Sequence, residues 1–395
     1  MKPTAVLLGD LNMLRCFVGS DIPVVLAATD PHDVTLASRF ASHQYLIAPY
    51  ADTERALADL ERIAGDSPDK PVLFYGSDEQ LLFVSRHRER LRQSYRFRMP
   101  SADVIEAMVD KRGFAARASA AGLPVPATAC SRDVTGVDEV LARVPVPCVI
   151  KPNVHIGWFK HVALHTTGPR KALIANTADE LRARYAEVSQ HTEDFVIQQY
   201  IPGGEDLIYS FHAYVDGSGT ALAHFVGKKI RTFPREAGIS TYLELVKEPR
   251  VVAIGNAVVA KLGLTGPLKI DMKMHADTRE LYVLEVNARF NLWHYLGAAA
   301  GINLPQLAYA ELTGAPFTAP TDYATDIRWL SFTDDLRSFL RSYRPSGELS
   351  WLSWLASLRG RKIYDVFSWR DPMPWATSLL EYGRALRKRL TGARS

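Results

Sequence analysis

Two short strands with matching alternation constrain this chain most. The first is Leu268-Lys269-Ile270-Asp271-Met272-Lys273-Met274 and the second is Leu281-Tyr282-Val283-Leu284-Glu285-Val286-Asn287. Side chains alternate across a strand, so Ile270, Met272 and Met274 face one way and Lys269, Asp271 and Lys273 the other. Glu285 and Asn287 share one face of the second strand, and Arg289 follows in phase. Pairing through residues 276–280 places Asp271 opposite or diagonal to Glu285. Two carboxylates and an amide oxygen on one surface make a hard-oxygen site suited to Mg²⁺, with Mn²⁺ as the alternative. The acidic pair repels itself without a cation, which favours a metal completed by phosphates and water. The plain alternative is a wet strand face.

Upstream lie other segments with phosphate and nucleotide chemistry. Lys111 follows Asp110 at an expected helix start, and Lys151 ends the apolar stretch Val149-Ile150. Lysines at such termini reach phosphate as mobile point charges, although each alone reads equally well as a solvated surface residue. Residues 195–201 form an apolar strand that runs into Pro202-Gly203-Gly204-Glu205. Such a strand edge can offer backbone groups to adenine, and an acid past the turn can take ribose hydroxyls. Residues 225–231 add Lys229 and Arg231, which strict alternation puts on one face. They are candidates for a substrate carboxylate or the γ-phosphate, or else they make a basic edge strand.

The first hundred residues alternate strand-like and helix-like segments. Strands are expected at 5–8, 24–28 and 72–75, with helices at 52–64 and after Ser77-Asp78. This order predicts a Rossmann-like parallel sheet. The G-x-G-x-x-G fingerprint is absent, so a dinucleotide is not expected. Gly9-Asp10 and Ser77-Asp78-Glu79 fall at the carboxyl edge of that sheet, where ligands bind, and also read as helix caps. Pro100-Ser101 marks the junction, with Ser101 as a cap. Hairpin strands are expected at 207–215 and 221–231.

In this order and spacing the segments resemble the ATP-grasp superfamily, over about residues 111–310, or 1–310 with the front domain. The closest flavour is the carboxylate–amine ligases. The run Glu285-Val286-Asn287-Ala288-Arg289 is the most specific match. The resemblance implies a mixed α/β and α+β chain: a Rossmann-like domain (1–100), an ATP-grasp domain (101–320) whose lid spans about 111–195, and a Trp/Arg-rich C-terminal extension (321–395). It also implies a ligase that joins a carboxylate to an amine through an acyl phosphate, with small-molecule substrates, ATP and Mg²⁺. Lys111 and Lys151 would meet the nucleotide phosphates. Gln198, Gln199 and Ile201 would form the adenine hinge, and Glu205 would hold the ribose. Asp271, Glu285 and Asn287 would carry the metal, and Arg289 would face the reacting phosphoryl group. An ATP-dependent carboxylase acting on bicarbonate and a non-catalytic ATP-binding protein remain alternatives, and a homodimer is left open. The segment after Lys151 lacks a Gly/Ser-rich phosphate loop, and Trp158, Phe159 and Lys160 are candidates to replace it. His155, His161 and His165 read as surface residues.

P-loop, zinc-hydrolase and serine-hydrolase signatures are absent. Three widely spaced cysteines, Cys16, Cys130 and Cys148, argue against a disulfide framework and for the cytoplasm. No apolar run approaches the ~18 residues of a membrane span. A net charge of +4 does not announce a nucleic-acid partner. The surplus sits in residues 321–395, with 13 Lys+Arg against 8 Asp+Glu and five of the seven Trp. That tail, closing on residues 384–389, is expected to pack on the core. Recruitment of an acidic partner or a basic amphipathic contact with a membrane surface are the other readings.

Overall fold

The computed structural model describes residues 2–153, 172–235 and 238–390. The expectations for Trp158, Phe159, Lys160, His155, His161 and His165 fall outside the described residues. So do the side chains beyond Arg384.

The front domain is a four-stranded parallel sheet, ordered β3-β2-β1-β4. Its strands are β1 (Ala5–Leu7), β2 (Val24–Ala28), β3 (His43–Leu46) and β4 (Val72–Phe74). Three are short apolar runs buried on both faces, as a parallel sheet requires. The unexpected β3 is a polar, largely exposed edge strand with no apolar run to announce it. Helix α1 (Leu11–Arg15) connects β1 to β2, α2 (Thr53–Gly65) connects β3 to β4, and α3 (Asp78–Arg86) follows β4. Helix α3 opens on a reciprocal Ser77/Gln80 capping box. Helices α4 (Arg88–Ser94), α5 (Ala102–Val109) and α6 (Lys111–Ala120) follow.

A smaller antiparallel sheet comes next, ordered β5-β8-β6-β7. It comprises β5 (Thr128–Cys130), β6 (Cys148–Pro152), β7 (Leu173–Ala175) and β8 (Phe195–Gln199), with α7 (Val137–Arg143) and α8 (Ala178–Ser189). It has a core of its own, including Val140, Ile150, Leu181 and Ile197.

The third sheet has seven strands, ordered β13-β12-β9-β10-β11-β14-β15. They are β9 (Ile208–Val215), β10 (Ala221–Phe233), β11 (Ile239–Val246), β12 (Gly266–Met274), β13 (Leu281–Asn287), β14 (Ile327–Leu330) and β15 (Arg361–Tyr364). Helix α9 (Pro249–Leu262) lies between β11 and β12, while α10 (Trp293–Ala299) and α11 (Leu304–Thr313) follow β13. One face buries Phe211, Ile270 and Met272 in a core shared with Val6, Leu73 and Leu91 of the front domain. The other buries Phe225, Leu243 and Trp293 in a core shared with Leu7, Leu26 and Phe74. Both cores therefore run across the junction expected near residue 100.

The extension does pack. Strands β14 and β15 lengthen the large sheet, and α12 (Phe332–Ser338), a π-helical turn (Phe339–Tyr343), α13 (Trp351–Ser357) and α14 (Met373–Leu390) complete it. Arg15 donates to the carbonyls of Tyr364 and Asp365 at 2.8 Å, and Ser38 donates to Asp371 at 2.6 Å. Trp329 and Trp354 are buried, yet Trp369 is 88% exposed, so packing does not cover every tail tryptophan. The three cysteines are buried and free. Among the described residues no helix is long and apolar enough to cross a membrane.

Candidate functional site

The hairpin of β12 and β13 has the register expected for it. Asp271 lies opposite Glu285, and Lys269 lies opposite Asn287. On its other side β12 pairs with β9, which puts Ser210 beside Asp271 and His212 beside Lys269. Asp271 is buried and accepts hydrogen bonds from the Ser210 hydroxyl and, at 2.6 Å, from Lys269 Nζ. Burial alone would raise its pKa. The charges of Lys269 and Lys229 and those two hydrogen bonds outweigh burial and hold it well below the usual carboxylate range. Lys229 thus lies close enough for its charge to act on Asp271.

Glu285 is exposed and accepts from Asn287 Nδ2 at 3.3 Å. Arg289 donates to Asn287 Oδ1 at 3.0 Å and reaches the front domain, where its Nε meets Asp78 Oδ1 at 2.5 Å and its Nη1 meets the Gly76 carbonyl at 3.3 Å. Arg289 therefore spans the seam between the front sheet's carboxyl edge and the β12–β13 hairpin. Gly227 lies on the same face of the large sheet, and its bare backbone admits the Trp293 ring. A Cβ there would come within 2.1 Å of Cζ3. Lys269 Nζ in turn lies 5.8 Å from the centre of that ring. Behind it His212 and His294 are fully buried, and burial keeps both imidazoles neutral, His294 being pushed down to about 3.

The lysines converge from the other side. Asp110 caps α6 by accepting the Gly113 N–H at 2.6 Å, which presents Lys111 at the helix start. Lys111 Nζ donates to the Asn153 carbonyl at 3.2 Å. Asn153 itself accepts the Arg112 N–H at 3.0 Å and donates to Asp110 at 2.8 Å. Burial lowers the Lys111 pKa, opposed by Glu285, Asp78 and Asp110. Lys151 on β6 donates to Gln198 Oε1 at 3.0 Å. Burial pushes it down to about 8, with Lys111 and Lys273 adding and Glu285 opposing. Both lysines therefore feel the same carboxylate. Lys273 Nζ lies 4.7 Å from the centre of the Tyr200 ring.

Gln198 also donates to Thr128 at 3.1 Å, and Gln199 accepts the Ala127 N–H at 3.3 Å. Ile201 follows the strand end and is buried. Glu205 opens the 3₁₀ turn before β9, and its carboxylate accepts the hydroxyls of Thr232 and Tyr343.

Arg231 departs from its expectation. Lys229 pairs with Leu243, yet Arg231 pairs with Tyr242, because β10 carries a bulge at Ile230. The extra residue turns Arg231 to the opposite face from Lys229. There it is 3% exposed, bonded to both oxygens of Asp335 at 2.7 and 2.8 Å and to Ser357 at 3.0 Å. It anchors the C-terminal extension and has no path to a phosphate or substrate carboxylate beside Lys229.

Asp271, Glu285 and Asn287 fit a small divalent cation by donor chemistry, since they offer only oxygen ligands from paired strands. Among the described residues no group of three or more His, Cys, Asp or Glu could hold a metal by itself. Two carboxylates and an amide suit Mg²⁺ that shares phosphates and water. Lys269, Lys273, Ser210 and Asp78 belong to this surface too. The first two were legible from alternation with Asp271. Ser210 depends on strand order, and only the folded seam pairs Asp78 with Arg289.

Comparisons with known proteins bear on the fold as a whole. A family described as ATP-grasp in the biosynthetic pathway with Ter operon matches residues 192–334. A D-aspartate ligase from Enterococcus faecium is 22% identical over 269 residues, which is 66% of this chain and 63% of that ligase, so the match spans less than two thirds of the relative. A crystal structure of N5-carboxyaminoimidazole ribonucleotide synthetase with ADP is similar at a TM-score of 0.63 and 15% identity, covering 87% of this chain and 86% of that one. An L-amino acid ligase from Bacillus licheniformis is similar at a TM-score of 0.59 and 16% identity, covering 80% and 75%.

Proposed function

This chain has the ATP-grasp fold, and from that premise we propose that it is an ATP-dependent ligase joining a carboxylate to an amine in the cytoplasm. The observation that carries the reading is the pairing of Asp271 with Glu285 on one surface, with Lys111 and Lys151 both within the field of Glu285. A nucleotide tail of several negative charges needs this mixture of cation-binding oxygens and ammonium groups.

Carboxylates are poor electrophiles, so the reaction requires activation. An oxygen of the substrate carboxylate attacks the γ-phosphorus, the bond to the β-bridging oxygen breaks, and ADP leaves with that electron pair. A neutral amine then attacks the acyl carbon. Phosphate departs with the C–O bonding pair, and the amine nitrogen loses a proton. Lys111 and Lys151 hold the phosphates and offset their charge. Gln198, Gln199 and Ile201 border the adenine, and Glu205 takes the ribose. Arg289, oriented by Asp78 and Asn287, faces the transferred phosphoryl group. Lys229, whose charge reaches Asp271, is a second positive charge on this surface. Mg²⁺ held by Asp271, Glu285 and Asn287 would neutralise phosphate charge. Catalysis of this kind rests on position and charge.

ADP release with a panel of amino acids and amines tests the reading, since two of the relatives above are named for amino-acid ligation. A ligated product formed with stoichiometric ADP supports it. ADP formed with bicarbonate alone would move the chain to the carboxylase reading.

Lys151 gives a pH signature. It binds phosphate as the ammonium and titrates at about 8 without nucleotide. Below that pH the charged form is already present, and above it nucleotide binding must take up a proton. Affinity should therefore fall by about tenfold per pH unit above 8. Lys151→Met should bind nucleotide about tenfold or more weakly at pH 7 and show a flatter profile by calorimetry.

A further inference from the structure

We propose that Tyr343 is a positioning residue of the nucleotide site: its hydroxyl holds the Glu205 carboxylate in the orientation that meets the ribose. The inference rests on the ribose reading of Glu205 and extends the site into the C-terminal extension, beyond the family match that ends at residue 334.

The Thr232 hydroxyl donates to Glu205 Oε1 and the Tyr343 hydroxyl to Oε2. The Tyr343 hydroxyl also accepts the Thr232 backbone N–H at 3.3 Å, so its single proton is directed at the carboxylate. Tyr343 is 6% exposed, and burial together with the Glu205 charge raises its phenol far above neutrality, which keeps it a donor.

The ring is fixed as firmly as the hydroxyl. Tyr343 ends the π-helical turn that leaves α12, and such turns recur at functional positions. Ser338 at the end of α12 donates to the Thr232 carbonyl, and the Arg235 guanidinium lies 5.8 Å from the centre of the Tyr343 ring. Phe339 packs on Trp351 and Trp354 at 4.8 and 5.0 Å between ring centres. Helix α12 is itself anchored by the Arg231–Asp335 pair. The buried part of the extension therefore ends on a nucleotide-binding side chain. A glutamate held this way has lost its rotamer freedom before the ligand arrives, which strengthens binding without a new contact.

The test uses the full chain and calorimetric titration with Mg-ATP and with its 2′-deoxy and 3′-deoxy analogues. Tyr343→Phe should weaken ATP by about tenfold while affecting the deoxy analogue that already lacks the Glu205 contact much less. Glu205→Gln should erase the same preference. The double variant should match Glu205→Gln alone, because the two act through one contact. Thr232→Val removes the companion donor and should lower the preference in the same direction, which keeps the idea testable should Tyr343→Phe fold poorly. Equal weakening of ATP and both analogues by Tyr343→Phe would show a structural role only. Unchanged or tighter ATP binding would overturn the proposal too, the latter showing that Tyr343 competes with the ribose. If Glu205→Gln leaves the preference intact, the ribose reading itself fails, an outcome distinct from failure of Tyr343 alone.

Discussion

Glu285→Gln is expected to abolish ATP turnover and leave the fold intact. Glu285 is exposed on β13, so an isosteric amide removes one charge and little packing, and its stability cost should stay within about 0.5 kcal/mol. The functional cost is larger. Glu285 offers a cation-binding carboxylate and also sets the field at Lys111 and Lys151. Losing one charged group that acts on developing charge typically costs about 10²–10³ in rate. Asp271→Asn should be as severe in turnover but less clean. It strips the counter-charge from Lys269, whose side chain is 14% exposed, and from the nearby Lys229. Thermal melts should separate the two variants, with only Asp271→Asn shifted. ADP release at saturating Mg²⁺ is the decisive readout, and full activity in both variants would end the cation assignment.

The second large effect is on stability. Asp335→Ala should destabilise the protein by about 3–5 kcal/mol, because it leaves the Arg231 guanidinium buried without a partner. The carboxylate takes four donors: both arms of Arg231, Thr241 at 3.0 Å and Trp354 Nε1 at 2.9 Å. Replacing both charges, as in Arg231→Met with Asp335→Leu, should recover much of the loss, since a buried pair gives little net stability over apolar packing. Denaturant unfolding of the two single variants and the double variant measures this. A Asp335→Ala protein as stable as the parent would contradict the arrangement. Nucleotide binding retained by the double variant would separate Arg231 from the chemistry.

These two cases show where the sequence could be read and where it could not. Alternation and a short connection were enough to oppose Asp271 and Glu285, and phase alone placed Asn287 and Arg289. The same counting failed on β10, two strands away from β12. Alternation assumes one residue per step, and the bulge at Ile230 inserts a residue that no local signal in Gly227 to Arg231 declares. The tail illustrates a second limit. Its tryptophans and charges foretold packing, but Tyr343 meets a carboxylate 138 positions earlier, and periodicity carries no information across that distance. Strand β3 was missed for a third reason, since an exposed polar edge is held by backbone pairing and needs no apolar pattern.

Asn153 joins two bodies with separate apolar cores, which meet again at the Arg112–Asp133 ion pair. Lys111 belongs to α6, whose Phe114 and Ala118 sit in the large core, whereas Lys151 rides on β6 in the small sheet with its own core. The hydrogen bonds at Asn153 link those bodies through polar groups that water can replace. Turning the small sheet about this point would leave each apolar core whole but would break the buried polar contacts of Asn153 and the Arg112–Asp133 pair. The two lysines proposed for the phosphates thus stand on different bodies, and a nucleotide that met both would pin one to the other.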